Sequence, residues 1–485
     1  MASGLIPRGY KDQFLNGRAS ARKGDALSRA FRGFYRCPDG MLEFALKGKL
    51  SAEEGYFRVG PNVIGYGRSS LDLEGENGAE ANPRSAKNLD SAMSDILGSE
   101  TIGKARVELP FDPTEIIENL RLERYPHRVL QGWERVLKRI YYGLRPVVSS
   151  GIRKKIQRFN ARRSRNLPFP QWPVDTTVEN ICETILLRGL ETRAVDQVPF
   201  VWFWPRGDRG CVVMTHDVET AAGREFCGAL LDIDDSFGIK ASFQIVPEER
   251  YPVSAEFLNE IRRRGFEVAL HDLNHDGRLF DSRGIFLRRA ARIRDFAKEY
   301  GACGFRSAIL YRKPEWLDEL GFSYDMSTPN VAHLDPQDGG CCTVMPYFIG
   351  KTLELPVTTV QDYSLFHILD ERSIDLWSVQ TELILKKNGM VSFIVHPDYV
   401  IDREYRQVYE ELLSYLRRLR ETAQIWFALP REVNDWWRKR SRMSVVKRGA
   451  SWQIEGEGSE NAVLAFASSI DGRLTYQFAN ETVTV

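Results

Sequence analysis

The sequence predicts an α/β fold, a parallel sheet or barrel, between an N-terminal mixed region and a small all-β appendage. Over roughly 240 residues from Phe200, short β-rich runs alternate with stretches of helical spacing, the rhythm of βαβ units. After Arg440 the pattern reverts to alternating strands: SWQIEG, NAVLAFAS and RLTYQF. The 485 residues exceed one ordinary domain, and 43% hydrophobic with 27% charged residues predicts a packed interior. Lys plus Arg is 67 and Asp plus Glu is 66, so the formal charge of +1 gives no global reason to bind nucleic acid. No apolar run approaches the roughly 18 residues of a membrane span, and MASGLIPRGYKDQF lacks a signal peptide's apolar centre. Seven cysteines without paired metal-type spacing do not describe a disulfide framework. A soluble, reduced, cytoplasmic protein is expected.

The elements follow in order. Residues 1–110 form the mixed region, with strands expected around the turn signals Gly60-Pro61-Asn62 and Gly65-Tyr66-Gly67. Within it, 74–98 is rich in Gly, Ser, Asn, Ala and acids, and reads as a mobile loop. A basic helical segment spans 111–170, where Trp133, Val136, Leu137, Ile140, Tyr141 and Leu144 recur at helical spacing. From Arg121 to Arg165 fourteen Lys or Arg face two Glu, a local charge of +12. Such a helix could lie on an anionic membrane or glycan. A helix packed on its own protein with a solvated basic face is favoured, because its apolar stripe is no wider than packing needs. The barrel is expected over 171–440, opening with a Thr176/Glu179 capping box before VENICETILLRGL. Its strands are CVVMTHD, ASFQIV, FEVALH, LELPV, VSFIV and IWFAL, and IFLRRAARIRDFAKEY is a helix before GFRS. Among its helices, YRQVYEELLSYLRRL aligns Tyr405, Val408, Leu412, Leu416 and Leu419 on one face. Residues 441–485 form the appendage, with Asp471-Gly472 as a hairpin turn.

The chemistry is expected at strand ends. His271 and His275, in ALHDLNHDG, are spaced to share a face if the segment turns helically, which suits one metal ion. Another strand ends in Thr215-His216-Asp217-Val218-Glu219. In a parallel barrel the C-terminal strand ends converge on one mouth, so two imidazoles and a carboxylate can meet around an ion with positions left open. Each residue also has a plainer reading. Asp217 and Glu219 could cap the next helix, Arg306 could make a surface ion pair, and His396 could bond backbone. His127, His333 and His367 have no motif support. Cys341-Cys342 reads as two reduced thiols, a vicinal disulfide or metal site being the alternative.

The ordered set MTHDVE, HDLNH, GFRS, YDMS and FIVHPDY resembles the metal-dependent polysaccharide deacetylases, carbohydrate esterase family 4. The resemblance covers Arg209 to Arg440. It implies a distorted (β/α) barrel that removes acetyl groups from N- or O-acetylated sugars with a divalent ion, zinc first, with cobalt, nickel or manganese as alternatives. By it, Asp217 is the base that takes a proton from the water the metal activates. His271 and His275 are metal ligands. Val218 stands where the family's common motif has a second Asp, so Glu219 becomes the carboxylate ligand in an Asp-x-Glu form. Arg306 pairs with and orients Asp217, and Ser307-Ala308 replace the prolines that usually follow it. Asp325 helps tune His396, which protonates the leaving amine. The implied partner is an acetylated amino sugar or polysaccharide precursor. Two alternatives stand beside it: a hydrolase of other C–N bonds, such as cyclic amides or ureides, and a non-catalytic glycan-binding barrel.

Overall fold

The computed structural model describes residues 23–60, 63–70, 87–88, 106–126, 167, 169–191 and 195–479. The N-terminal apolar runs form strands after the helix Lys23–Tyr35: β1 (Glu43–Leu46), β2 (Gly55–Gly60), β3 (Val63–Gly67), β4 (Lys87–Asn88) and β5 (Arg106–Leu109). β1 pairs in parallel with β5, and β2 lies between β3 and β4. Asp112 starts the helix Pro113–Arg121 by accepting from the Thr114 and Glu115 N–H groups. The remainder of the basic segment, 127–165, lies outside the described residues. So does the expected loop at 74–98, apart from 87–88.

The helix Thr177–Glu191 forms, but without the expected capping box. Asp175 accepts the Thr177 N–H at 2.8 Å instead, an Asx turn that serves the same end. Glu179 is freed for a tertiary role: it is fully buried and accepts from the Thr343 hydroxyl and, at 3.2 Å, from the Val344 N–H. Burial pushes its carboxyl up to about 7.

The α/β region follows. Its strands are β6 (Gln197–Val201), β7 (Cys211–Val218), β8 (Ala241–Ile245), β9 (Glu267–His271), β10 (Gly304–Arg306), β11 (Tyr324–Asp325), β12 (Tyr347–Ile349), β13 (Thr352–Glu354), β14 (Met390–Ile394) and β15 (Trp426–Phe427). All but β6 form one sheet in the order β12-β13-β11-β10-β9-β8-β7-β14. β15 lies beside the first half of β7, whose second half pairs with β8. The pairs are parallel except β12–β13, and the sheet curls into a half-barrel of the distorted (β/α) kind. Every residue of β7, β8, β9 and β14 is buried, as parallel strands covered on both faces require. The helices between them have local start and stop signals. Thr220 and Gly238 bound Ala221–Phe237, Ser282 and Gly301 bound Arg283–Tyr300, and both glycines are left-handed. Gly304 is required by contact, because a Cβ there would sit 1.9 Å from the Tyr324 ring.

After the helix Pro430–Arg442 come β16 (Ser444–Arg448), β17 (Ser451–Glu455), β18 (Leu464–Ile470) and β19 (Arg473–Phe478). Asp471 and Gly472 both take positive φ in the β18–β19 turn, as a two-residue hairpin of this sequence should. The third strand of this sheet comes from ahead of the barrel: β6 pairs with β18. Tyr35, Phe200, Trp202 and Tyr476 share one core there, and the Tyr35 and Tyr476 hydroxyls lie 2.8 Å apart. All seven cysteines, Cys341 and Cys342 included, are free thiols. Among the described residues no helix is long and apolar enough to cross a membrane.

Candidate active site

Alternation along β7 sends Thr215 and Asp217 to one side and His216 to the other. His216 is fully buried. Its Nε2 lies 2.9 Å from Asp234, its Nδ1 lies 3.0 Å from the Val395 carbonyl, and the Tyr409 hydroxyl donates to the same Asp234 at 2.6 Å. That network anchors β7 from behind. On the front, parallel register sets Arg306 beside His271 and Thr215 beside Ile394, so the strand ends open onto one mouth.

Arg306 is fully buried. It donates to Asp217 Oδ1 at 2.5 Å, to the Thr215 hydroxyl at 2.8 Å and to the Met326 carbonyl at 3.0 Å. Burial opposes ionisation of Asp217, but the Arg306 guanidinium, with His271 and His396, holds its carboxyl below the ordinary range. Neither Asp217 nor Glu219 caps the following helix; Thr220 does, accepting the Gly223 N–H at 3.0 Å. Glu219 instead turns into the mouth. Its Oε1 lies 3.2 Å from His271 Nε2, 2.9 Å from His275 Nε2 and 3.2 Å from His396 Nε2. Against burial, His396 and His275 hold this carboxylate well below its usual value.

His396 has a carboxylate that the sequence reading did not single out. Asp362 takes the His396 backbone N–H at 2.6 Å with one oxygen and lies 2.6 Å from Nδ1 with the other. Burial alone would depress His396, but Asp362 and then Glu219 raise it well above the ordinary imidazole value. Asp325, expected to tune His396, makes different contacts. It accepts from the Ser327 N–H at 2.8 Å, pairs in register with Glu354, and is pushed up to about 6 by burial. The physical reason is position: Asp325 ends β11, two strands beyond β9, while β14, which leads to His396, lies across β7. Asp362 sits alone in Val360-Gln361-Asp362-Tyr363, 34 residues before its partner, where no spacing signals a pair. Of the unassigned histidines, His333 is buried and stacks on Trp172, His367 stands on the short π-helix Ser364–Leu369, and His127 lies outside the described residues.

The donor set fits a divalent cation. Ligand atoms of Glu219, His271 and His275 lie within 4.8 Å of one another, and so do those of Asp217, Glu219 and His396. His271 Nδ1 lies 3.2 Å from the Arg306 carbonyl, which leaves Nε2 to face the cluster. His275 Nε2 is buried and has no aligned hydrogen bond, although it lies close to Glu219. A cation held among these atoms would take deprotonated imidazole nitrogens and the carboxylate as its ligands.

No protein-family model matches the chain, and no curated protein matches it. Solved structures do. A Mycobacterium smegmatis protein assigned as a polysaccharide deacetylase aligns over 49% of this chain and 93% of its own, with 19% identity and a TM-score of 0.41. The allantoinase Puue aligns over 48% and 92%, with 14% identity and a TM-score of 0.39. The peptidoglycan deacetylase PdaC from Bacillus subtilis aligns over 48% and 93%, with 12% identity and a TM-score of 0.31. Over about half its length, this chain is similar to these proteins.

Proposed function

We propose that the protein is a metal-dependent hydrolase that removes acetyl groups from an N-acetylated, or O-acetylated, sugar or polysaccharide precursor. One observation carries this reading. Asp217, held ionised by Arg306, and His396, gripped by Asp362, border the same cluster of Glu219, His271 and His275. Amide hydrolysis asks for that division of labour, because the attacking water must lose a proton and the departing amine must gain one. Glu219, His271 and His275 would hold the cation, for which zinc suits a set of two nitrogens and an oxygen. When bound, such an ion lowers the pKa of water to about 7 and polarises the acetyl oxygen. Asp217 accepts the water's proton; its second oxygen, 3.6 Å from His271 Nε2, faces the cluster. Arg306, itself braced by the Thr215 hydroxyl, holds Asp217 in place. His396, with Nδ1 committed to Asp362, presents Nε2 to the mouth and gives its proton to the leaving nitrogen.

The test is acetate release from N-acetylglucosamine oligomers by the zinc-loaded protein. Release that is lost in Asp217→Asn supports the reading; no release while a cyclic ureide is opened would replace it. That second reading, hydrolysis of other non-peptide C–N bonds, rests on two departures from the family's pattern: Val218 in place of the second Asp, and Ser307-Ala308 in place of the prolines after Arg306.

A further inference from the structure

A second concave region lies away from the barrel mouth, where the helix Lys23–Tyr35 meets β16 and β17. It is a cavity of about 770 Å³, within the range of small-molecule sites. Its charged wall is Arg29, Arg32, Arg36 and Lys447 against a single carboxylate, Asp39. A neighbouring cavity of about 400 Å³ shares Arg29 and Arg36, and adds Arg121 and Arg440 against Glu118. Two ion pairs account for both acids: Arg29 with Glu118 at 2.6 Å and Arg32 with Asp39 at 2.8 Å. That leaves four of six cations without a carboxylate at ion-pair distance among the described residues.

Lys447 is exposed, but Arg36, Arg121 and Arg440 are partly or wholly buried. Arg440 is 1% exposed, and among the described residues its guanidinium donates only to the carbonyls of Trp202, Phe34 and Val201. Arg36 donates to the Met443 carbonyl, yet its Nε is buried with no partner among the described residues, and so is Arg121 Nε. A buried N–H left without an acceptor is costly, and a buried cation without a counter-charge more so. Burial, with Arg36 as like-charged neighbour, brings Arg440 down to about 9. Burial lowers Arg36 as well. Carbonyls supply hydrogen-bond acceptors here but no negative charge. An oxyanion supplies both at once, and guanidinium groups match its geometry by paired N–H bonds.

We infer that this double cavity is a binding site for a phosphate-type oxyanion carried by a ligand, separate from the hydrolytic centre. Arg36, on the wall common to both cavities, is its central contact. Arg121 and Lys447 approach from the two sides. Trp452 gives the larger cavity a flat aromatic wall beside Lys447, whose ammonium lies 5.6 Å from the ring centroid. None of these residues belongs to the catalytic cluster, so the inference stands or falls independently of the proposed reaction.

The experiment titrates the full chain with inorganic pyrophosphate, inorganic phosphate and sodium chloride at matched ionic strength, by calorimetry and by melting temperature. In parallel, sedimentation with phosphatidylglycerol or phosphatidylcholine vesicles tests a lipid-borne phosphate. Saturable 1:1 binding of pyrophosphate that raises the melting temperature is expected, with at least tenfold weaker binding in Arg36→Gln. Lys447→Glu, at an exposed position, is expected to weaken it by a similar factor with an unchanged melting temperature in buffer. Sedimentation with phosphatidylglycerol alone, lost in Lys447→Glu, would also support the site and assign its phosphate to a lipid headgroup. Absence of binding to any phosphate source, or binding indifferent to both substitutions, would overturn the inference.

Discussion

Asp362 and Arg306 do the same work on opposite partners: each fixes a titratable group by more than one bond and biases its charge. His396→Ala should cost about 10²–10⁴ in turnover on an N-acetyl substrate. The loss should be much smaller on an activated aryl acetate, whose leaving group departs without a proton. Asp362→Asn should show the same selective loss in milder form, because it weakens the grip on the imidazole without removing it. Asp217→Asn should damage both substrates alike, since the water must be activated whatever leaves. Parallel losses for His396→Ala on both substrates would end its assignment as the acid. Metal content separates the remaining residues. His271→Ala, His275→Ala and Glu219→Gln should each lose most bound metal after dialysis, and Asp217→Asn should retain it, as read by elemental analysis. Loss in Asp217→Asn with retention in Glu219→Gln would exchange the two carboxylate roles. The six residues Asp217, Glu219, His271, His275, Arg306 and His396 were legible because each stands at or near a strand end in a short recognisable string. Asp362 was not, because a lone aspartate beyond a strand looks like any turn residue until the chain folds.

At the scale of elements, long strands and amphipathic helices were legible, and very short strands were legible only inside a longer apolar run. β7, β9 and the helix Arg403–Thr422 show clear apolar runs or periodicity. β10, β11 and β12 have two or three residues each, too few for a period to register, whereas the equally short β13 and β15 fall in the longer apolar runs LELPV and IWFAL. They are held by their neighbours more than by their own composition, and Gly304 shows how tightly. The Tyr324 ring occupies the place of its missing side chain, and the Tyr324 hydroxyl continues to Glu267 at 2.7 Å. Gly304→Ala should therefore force β10 and β11 apart, costing about 1–3 kcal/mol or more. Arg306 is two residues along the same strand, so the substitution should also reduce turnover. Calorimetric unfolding and activity on one preparation check this, and an unchanged melting temperature would mean that the ring moves aside freely.

At the scale of the whole molecule, sequence pattern separated an N-terminal region, a barrel and a C-terminal β unit, yet the core crosses those divisions. β6 completes the C-terminal sheet, and Tyr35 reaches Tyr476 across most of the chain. Contacts between segments so far apart leave no local periodicity, which is why composition could not reveal them. Glu267 is a tie of this kind and gives a global prediction. It stands at the start of β9, is 2% exposed, and accepts from the Tyr324 hydroxyl and, at 3.1 Å, from the Arg431 N–H of the helix Pro430–Arg442. Burial pushes its carboxyl from an ordinary 4.5 up to about 7. Between those values the folded protein binds more protons at this site than the unfolded chain, so its contribution to stability falls as pH rises through the window and levels off above about 7. A glutamine can accept from the Arg431 N–H and donate to the Tyr324 hydroxyl without ever ionising. Glu267→Gln should therefore match the parent most closely near pH 4.5 and gain on it steadily towards pH 7. Above that the gap in melting temperature should hold constant. Parallel melting curves for the two proteins across pH 4.5–7.5 would show that Glu267 is ionised throughout, and that its bonds to Tyr324 and Arg431 already outweigh the cost of burying the charge.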